Sequence, residues 1–173
     1  MEGKKVLMVI APQNFRDEEL LEPKSVFEDN SVEVSIASTS KGSARGMLGA
    51  MVDPDLTLDE VDVKDYDAVV VVGGGGSRDY LWDNLTLHGI VREFYNEGKV
   101  VAAICISPVV LAKAGLLDGK KATVFPGQDT LSELKNAGAI LVNTGAVADG
   151  RIVTGRGPEA AEEFGRKVLE ALF

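Results

Sequence analysis

The most informative segment of the chain is Lys99–Leu117, KVVAAICISPVVLAKAGLL, which holds the only cysteine, Cys105. Val100–Ile104 is a short apolar run, typical of a buried strand. The residues that follow favour a helix, because Ser107 suits a capping position and Pro108 the first helical position. The segment therefore predicts a buried strand that turns sharply into a helix at the cysteine.

A cysteine at such a turn resembles the nucleophile of a nucleophile elbow, which projects above the edge of a sheet. The N–H groups at a helix start favour a thiolate and can bring a thiol pKa from ~8.5 to ~3.5–7.5. The alternative is that Cys105 is a small buried hydrophobic residue, the usual role of a lone cysteine. We favour the reactive thiol, and expect it to be half exposed and ionised near neutral pH.

The composition limits the class of protein. A chain of 173 residues with 45% hydrophobic and 26% charged residues is typical of a single globular domain, here residues 1–173. A formal net charge of −9 disfavours binding to nucleic acid or to a membrane. The apolar run near the N-terminus is too short for a secretory signal or a membrane span, so we expect a cytoplasmic protein.

Strand and helix patterns alternate along the chain. The predicted strands are 5–11, 32–37, 68–72, 100–104, 121–124, 140–142, 146–148 and 151–154, the last two joined by a tight turn at Asp149 and Gly150. The run Ala68–Val72 is typical of a strand covered on both faces. The alternation predicts an α/β three-layer sandwich with a mostly parallel sheet and a ligand site at the carboxyl ends of its strands.

The glycine run Gly73–Gly76 follows one of these strands. Its backbone can turn N–H groups towards an anion or the oxyanion of an intermediate, and the N–H groups of Gly74 and Ile106 would form an oxyanion hole. Two alternatives remain open. The run is only a permissive turn, or it binds a nucleotide despite lacking the G-x-G-x-x-G spacing.

An acidic segment begins the first predicted helix and contains Asp17, Glu18, Glu19 and Glu22. One of these carboxyl groups can reach Cys105 across the sheet edge, where burial and charge repulsion would keep it protonated. The alternative is a solvated first turn stabilised by the helix dipole, which we favour for all except Glu19.

The only histidine, His88, lies in a predicted helix away from these loops. We therefore expect a surface or hydrogen-bonded histidine rather than a catalytic base. Cys105 and His88 lack the spacing of metal ligands, so no metal and no cofactor is predicted.

Four segments resemble, in this order, the ThiJ/PfpI superfamily: KVLMVIAPQNFRDEELLEP, YDAVVVVGGGG, VVAAICISPVVLAKAGLL and IVTGRGPEAAEEF. The resemblance implies a flavodoxin-like fold, related to class I glutamine amidotransferases, and a homodimer or higher homo-oligomer. It also implies that Cys105 is the elbow nucleophile, hydrogen-bonded by Glu19, and that the glycine pair supplies an oxyanion-hole amide. The residues expected to line the site are Gly73, Gly75, Ser107, Arg156 and Pro158.

Three positions depart from the family pattern. PfpI-type members have a histidine after the cysteine, where this chain has Ile106. Deglycase-like members have a histidine before a proline, where this chain has Phe125, and Val72 replaces the proline before the glycine pair. The missing histidines make a PfpI-type intracellular peptidase the least expected function.

The leading hypothesis is a cysteine-dependent enzyme of the glyoxalase or deglycase type that acts on small reactive carbonyls in stress protection. In this reading Cys105 attacks the carbonyl, Glu19 moves the proton, and the N–H groups of Gly74 and Ile106 hold the oxyanion. The alternative is a non-enzymatic redox sensor or stress-response protein in which Cys105 is oxidised to a sulfinate.

Overall fold

A seven-stranded sheet forms the centre of the structure, a computed structural model that describes residues 3–173. In chain order the strands of the protein are β1 (Lys5–Val9), β2 (Gln13–Phe15), β3 (Glu33–Ser38), β4 (Ala44–Gly46), β5 (Met51–Val52), β6 (Leu56–Thr57), β7 (Ala68–Val71), β8 (Val100–Ile104), β9 (Lys121–Ala122), β10 (Ile140–Leu141), β11 (Ala146–Asp149) and β12 (Ile152–Gly155). The central sheet has the order β11-β12-β8-β7-β1-β3-β6. All its neighbouring strands are parallel except the edge hairpin β11–β12, as predicted.

Helices cover this sheet on both faces. They are α1 (Asp17–Asp29), α2 (Gly75–Tyr80), α3 (Leu85–Asn96), α4 (Pro108–Lys113), α5 (Gln128–Asn136) and α6 (Ala161–Leu172). Every residue of β7 and β8 is buried, which requires cover on each side, and the helices pack in two groups, α1 with α6 and α3 with α4. The predicted three-layer, flavodoxin-like α/β sandwich is therefore confirmed.

The central strands end side by side. Val9 pairs with Val71, and Val71 pairs with Ala103, so the loops that follow β1, β7 and β8 leave the sheet at one edge. Parallel pairing in register thus brings together the acidic segment, the glycine run and the turn at Cys105.

The helical residues between β7 and β8 form two separate helices, α2 and α3. The side chain of Asn84 accepts the Leu87 N–H at 3.0 Å and caps α3, which separates it from α2. Within residues 3–173, every helix is too short or too polar to cross a lipid bilayer.

The peripheral strands differ from the prediction. Gln13–Phe15, which is not among the predicted strands, pairs with β4 in a three-stranded sheet with β5. Strand β9 pairs with β10 outside the central sheet. These pairings join distant parts of the chain and leave no local pattern. The hairpin turn also lies one residue later than expected, because Asp149 pairs with Ile152 across Gly150 and Arg151.

Candidate active site

Cys105 lies in the turn between β8 and α4 with a φ of 67°. Such a value is uncommon for a residue other than glycine and marks a strained turn. Its N–H donates to the Gly155 carbonyl at 2.9 Å, and its carbonyl accepts the Phe125 N–H at 2.8 Å. The backbone is therefore held on both sides in the strand–turn–helix geometry of a nucleophile elbow.

Ser107 was expected to line the site, but it is buried behind this turn. Its hydroxyl donates to the Val72 carbonyl at 2.7 Å. Because that hydroxyl has one hydrogen, the 2.7 Å contact with the Ser77 hydroxyl must be donated by Ser77. Ser107 therefore ties the end of β7 to the elbow instead of capping α4 with its side chain, whereas Pro108 begins that helix as predicted.

Glu19 reaches Cys105 from α1 through a gap left by Gly73. A side chain at Gly73 would overlap Glu19 Oε1 and would lie 2.5 Å from the Cys105 Cβ. Only glycine therefore allows the carboxyl group and the cysteine to lie side by side. Gly73 is thus packed between them rather than exposed on the wall of the site.

The other acidic residues of α1 have different surroundings. Asp17, expected to be solvated, is 6% exposed and accepts the N–H groups of Leu48 and Ala50 at 2.9 and 2.8 Å. Glu18 accepts two hydrogen bonds from Arg16, and Glu22 is exposed. Of the four carboxyl groups, only that of Glu19 meets the cysteine.

Burial raises the pKa of the Glu19 carboxyl to about 8. The Cys105 thiol, the charge of Arg16 and the Gly73 N–H each lower the pKa, but their sum does not offset burial. Among residues 3–173, neither carboxyl oxygen of Glu19 has a partner that meets the distance and angle limits of a hydrogen bond. The thiol and the Gly73 N–H are near the carboxyl group but do not form a hydrogen bond with it. Glu19 is therefore mostly protonated at pH 7.

Burial, followed by the charge of Glu19, raises the pKa of the Cys105 thiol to about 12. The N–H groups of Gly74 and Ile106 lower this pKa, in the direction expected for the start of a helix. The cysteine is only 8% exposed, however, and burial outweighs the two N–H groups. The expectation of a half-exposed thiol that is ionised near neutral pH is therefore wrong.

The same two N–H groups are the predicted oxyanion-hole donors. Both lie close enough to the Cys105 sulfur to lower the pKa of the thiol. Gly74 has a φ of 102°, and a side chain there would overlap the backbone of Asn14 and Arg16. Gly74 is therefore required by close packing against the segment that leads into α1.

A pocket of about 260 Å³ opens above Cys105. Of the residues expected around the site, it is lined by Gly74, Gly75, Cys105, Ile106 and Pro158. The remainder of the wall was not predicted and consists of Arg16, Met47, Arg78, Phe125, Gly127, Asp129 and Thr130.

Arg156, also expected to line the site, lies in a separate depression. There its Nη1 donates to the Asn143 side chain at 2.9 Å. Two of the unpredicted wall residues, Arg16 and Phe125, lie in loops that follow strands. Their position after a strand was the sequence feature that could have placed them at the site. Met47 and Asp129 reach the pocket only through long-range packing.

His88 is buried and hydrogen-bonded, as expected. Its Nε2 donates to the Trp82 carbonyl at 2.7 Å, and the Trp82 indole donates to the Ile106 carbonyl at 3.0 Å. The histidine thus supports the elbow from behind and does not face the pocket. Across residues 3–173 there is no cluster of three or more His, Cys, Asp or Glu side chains that suits a metal ion.

Fold and elbow together define the chain as a flavodoxin-like α/β protein with a cysteine at a nucleophile elbow. The chain belongs to the DJ-1/PfpI family, whose sequence profile matches residues 4–171.

Individual relatives match nearly the whole chain. An uncharacterized protein of Methanocaldococcus jannaschii is 54% identical over 99% of this chain and 84% of its own length. A protein named a deglycase from Pyrococcus horikoshii is 35% identical over 97% of this chain and 99% of its own length. The crystal structure of a ThiJ/PfpI domain protein from Brachyspira murdochii superposes with a TM-score of 0.93, at 35% identity and 98% coverage of both chains.

Proposed function

We propose that the protein is a cysteine-dependent enzyme of the glyoxalase or deglycase type that removes small reactive carbonyl compounds. The observation that carries this proposal is the pairing of Cys105 with the buried, unpartnered Glu19 beside two N–H groups, at the base of a small pocket. The relatives named as deglycases support the same class of reaction.

The pair of Cys105 and Glu19 supplies the reactive form. The pair loses its first proton near pH 8, and the remaining proton lies mostly on sulfur because the pKa of the Cys105 thiol is raised to about 12. Transfer of the remaining proton to Glu19 gives a minor form of the pair. In the form with this proton on Glu19, the sulfur is a thiolate beside an acid. This form contains both the nucleophile and the proton donor for addition to a carbonyl.

Methylglyoxal illustrates the reaction. The Cys105 sulfur forms a bond to the aldehyde carbon, and the π electron pair moves to the oxygen, which takes the proton from Glu19. The Glu19 carboxylate then removes the hydrogen of that carbon as a proton and returns a proton to the neighbouring ketone carbon. The hydroxyl proton on the former aldehyde oxygen passes to the former ketone oxygen, which gives the thioester of lactate. Water breaks the C–S bond and restores the thiol. One carbon is oxidised and its neighbour is reduced, so no external oxidant is needed.

The N–H groups of Gly74 and Ile106 stabilise the oxygen when it carries negative charge. Both already interact with the sulfur, and donors held in place before the reaction need no reorganisation. This contribution does not depend on a histidine, which agrees with Ile106 and Phe125 at the family's histidine positions.

The test is formation of lactate from methylglyoxal by the purified protein between about pH 6 and pH 10. We expect turnover by the wild type and none by Cys105→Ser, with Glu22→Gln as a control that removes an exposed carboxyl group from the same helix. If the wild type forms no lactate across this range, the proposal is wrong.

A second candidate function is redox sensing through oxidation of Cys105 to a sulfinate. The two N–H groups and the protonated Glu19 are donors suited to sulfinate oxygens, but burial of the thiol slows oxidation. Intact mass after mild peroxide distinguishes the two: a gain of two oxygens confined to Cys105, without carbonyl turnover, would favour sensing. Peptidase activity ranks last because both histidine positions are apolar.

We also propose that the protein is a cytoplasmic homodimer or a higher homo-oligomer. The support is its membership of the family, together with the resemblance described above. Light scattering coupled to size-exclusion chromatography tests the assembly, and a monomer at micromolar concentration would contradict it.

A further inference from the structure

Arg78 lies on the wall of the pocket above Cys105 and has no role in the chemistry proposed above. Its guanidinium group is held from two directions. One face stacks on the Trp82 ring, 4.7 Å from the ring centre, and its Nε and Nη2 donate to Asp129 Oδ2 at 3.1 and 2.9 Å. A cationic group is therefore fixed in orientation on the wall of the pocket.

The partners of Arg78 are themselves fixed. The second oxygen of Asp129 accepts the Thr130 N–H at 2.8 Å, which places this carboxylate at the start of α5. The Trp82 indole donates to the carbonyl of Ile106, the residue that follows the cysteine. The orientation of the guanidinium is thus linked through Trp82 to the elbow.

The ion pair with Asp129 leaves Arg78 able to bind a ligand. Both hydrogen bonds go to a single oxygen and use only part of the donors that a guanidinium carries. The side chains of Arg78 and Asp129 are 45% and 51% exposed, and ion pairs of such exposure contribute little to stability. The pair is therefore better understood as holding Arg78 in place than as holding the fold together.

The electrostatic surroundings also favour an anion. Arg16 lies on the same wall, and its charge interacts with both Cys105 and Glu19. Glu19 is mostly protonated at pH 7, Glu18 is paired with Arg16, and Asp129 is paired with Arg78. A negative ligand would therefore meet oriented cationic donors and no unpaired carboxylate among these groups.

We propose that Arg78 binds a carboxylate on the substrate, so that the carbonyl compounds selected by this pocket are 2-oxoaldehydes that carry a carboxylate group. A planar guanidinium matches the geometry of a carboxylate, and a pocket of about 260 Å³ suits a small molecule. This inference rests on the proposed function for the reaction, but its first test requires no turnover.

The first test compares alkylation of Cys105 by iodoacetate, an anion, and by iodoacetamide, which is neutral and of similar size. The ratio of the two rates is divided by the ratio for 2-mercaptoethanol, which removes the intrinsic difference between the reagents. We expect Arg78→Gln to lower this normalised ratio about fivefold, the scale of one exposed charge-assisted contact. Arg78→Lys, which keeps the charge without the planar fork, should recover part of it.

Arg166→Gln is the matched control. Arg166 donates Nε and Nη2 to a single oxygen of Glu162 at 3.1 and 3.0 Å, which is the same pairing geometry on the exposed face of α6. We expect its ratio to equal that of the wild type. An unchanged ratio in Arg78→Gln, or an equal fall in Arg166→Gln, would overturn the proposal. An iodoacetamide rate that stays at the wild-type value shows that the variant's pocket is intact.

The second test uses two substrates, methylglyoxal and 4,5-dioxopentanoate, a 2-oxoaldehyde that ends in a carboxylate. We expect the wild type to have the higher kcat/KM for 4,5-dioxopentanoate, which it converts with water to 2-hydroxyglutarate, and Arg78→Gln to remove this preference. If the wild type converts both compounds with equal kcat/KM, the proposal that Arg78 binds a carboxylate is wrong and the proposed function stands. Absence of any turnover contradicts the proposed function and leaves the alkylation ratio as the measure of Arg78.

Discussion

Two buried carboxyl groups, two residues apart in α1, have opposite surroundings. Asp17 accepts an N–H on each oxygen, from Leu48 and Ala50, and so joins the helix to the hairpin of β4 and β5. Glu19 is completely buried, and neither of its oxygens has a full hydrogen-bond partner within residues 3–173. A buried carboxyl group whose oxygens are both satisfied supports the fold. One that is unsatisfied and lies against a thiol is costly to keep, and we attribute that cost to function.

The sharpest test of this contrast is catalytic. Glu19→Gln removes the group that we propose moves the proton, so we expect turnover of methylglyoxal to fall by about 10²–10⁴-fold. Asp17→Asn should lower turnover far less at temperatures where it remains folded. Steady-state kinetics of both variants make the comparison, and equal losses would show that the two carboxyl groups do not differ in role.

The second test is the pH dependence of stability. The pKa of Glu19 is raised from 4.5 to about 8 by folding, so its contribution is fully present below pH 4.5 and is lost as the pH rises to about 8. The wild type should therefore lose a few kcal/mol, at most about 5 kcal/mol, relative to Glu19→Gln over this interval. Urea unfolding of both proteins at several pH values measures the difference, and a constant difference would contradict burial of a protonated Glu19.

The third test is stability at a single pH near neutrality. Asp17→Asn places an amide N–H₂ against one of the two N–H donors and should cost about 1–3 kcal/mol. Glu19→Gln replaces an acid that is protonated in the folded protein and ionised in the unfolded chain at pH 6 with a neutral amide of similar shape, so it should raise the free energy of unfolding by about 2 kcal/mol. Denaturant unfolding of both variants at pH 6 checks this. A larger loss in Glu19→Gln than in Asp17→Asn would reverse the assignment.

The smallest expected effect concerns the thiol. The rate of Cys105 alkylation by iodoacetamide should rise about tenfold between pH 7 and pH 9, with an inflection near pH 8 where the pair loses its first proton. Glu19→Gln should lack this inflection, because only the buried thiol then titrates, whereas Asp17→Asn should keep it. A wild-type profile that is flat from pH 6 to pH 9 would mean that the thiolate forms without Glu19.

The elbow could be predicted from sequence because all of its signals lie within Lys99–Leu117. Burial of β8, the helix start at Pro108 and the single cysteine are local properties of that segment. The choice of Glu19 among four acidic residues came from the family resemblance, since position along the chain alone did not separate it from Asp17.

The rest of the site depends on contacts that no local pattern shows. Arg78 is held at the pocket wall by Trp82, in the turn that follows its own helix, and by Asp129, which lies in α5 and is distant in the chain. The sign of the thiol pKa shift was predicted incorrectly for a related reason. The local N–H groups are readable from the sequence, but the depth of burial of Cys105 is set by the whole fold.

The empty space at position 73 offers a way to sort relatives of this protein. The methyl group of an alanine there would force the acid and the sulfur apart and would also overlap the carbonyl of Ile104 at the end of β8. A homologue that retains the cysteine and the glutamate but has gained a side chain at this position should resemble this protein in every visible motif and yet be inert. Glycine at position 73 is then a better marker of an active family member than the cysteine itself.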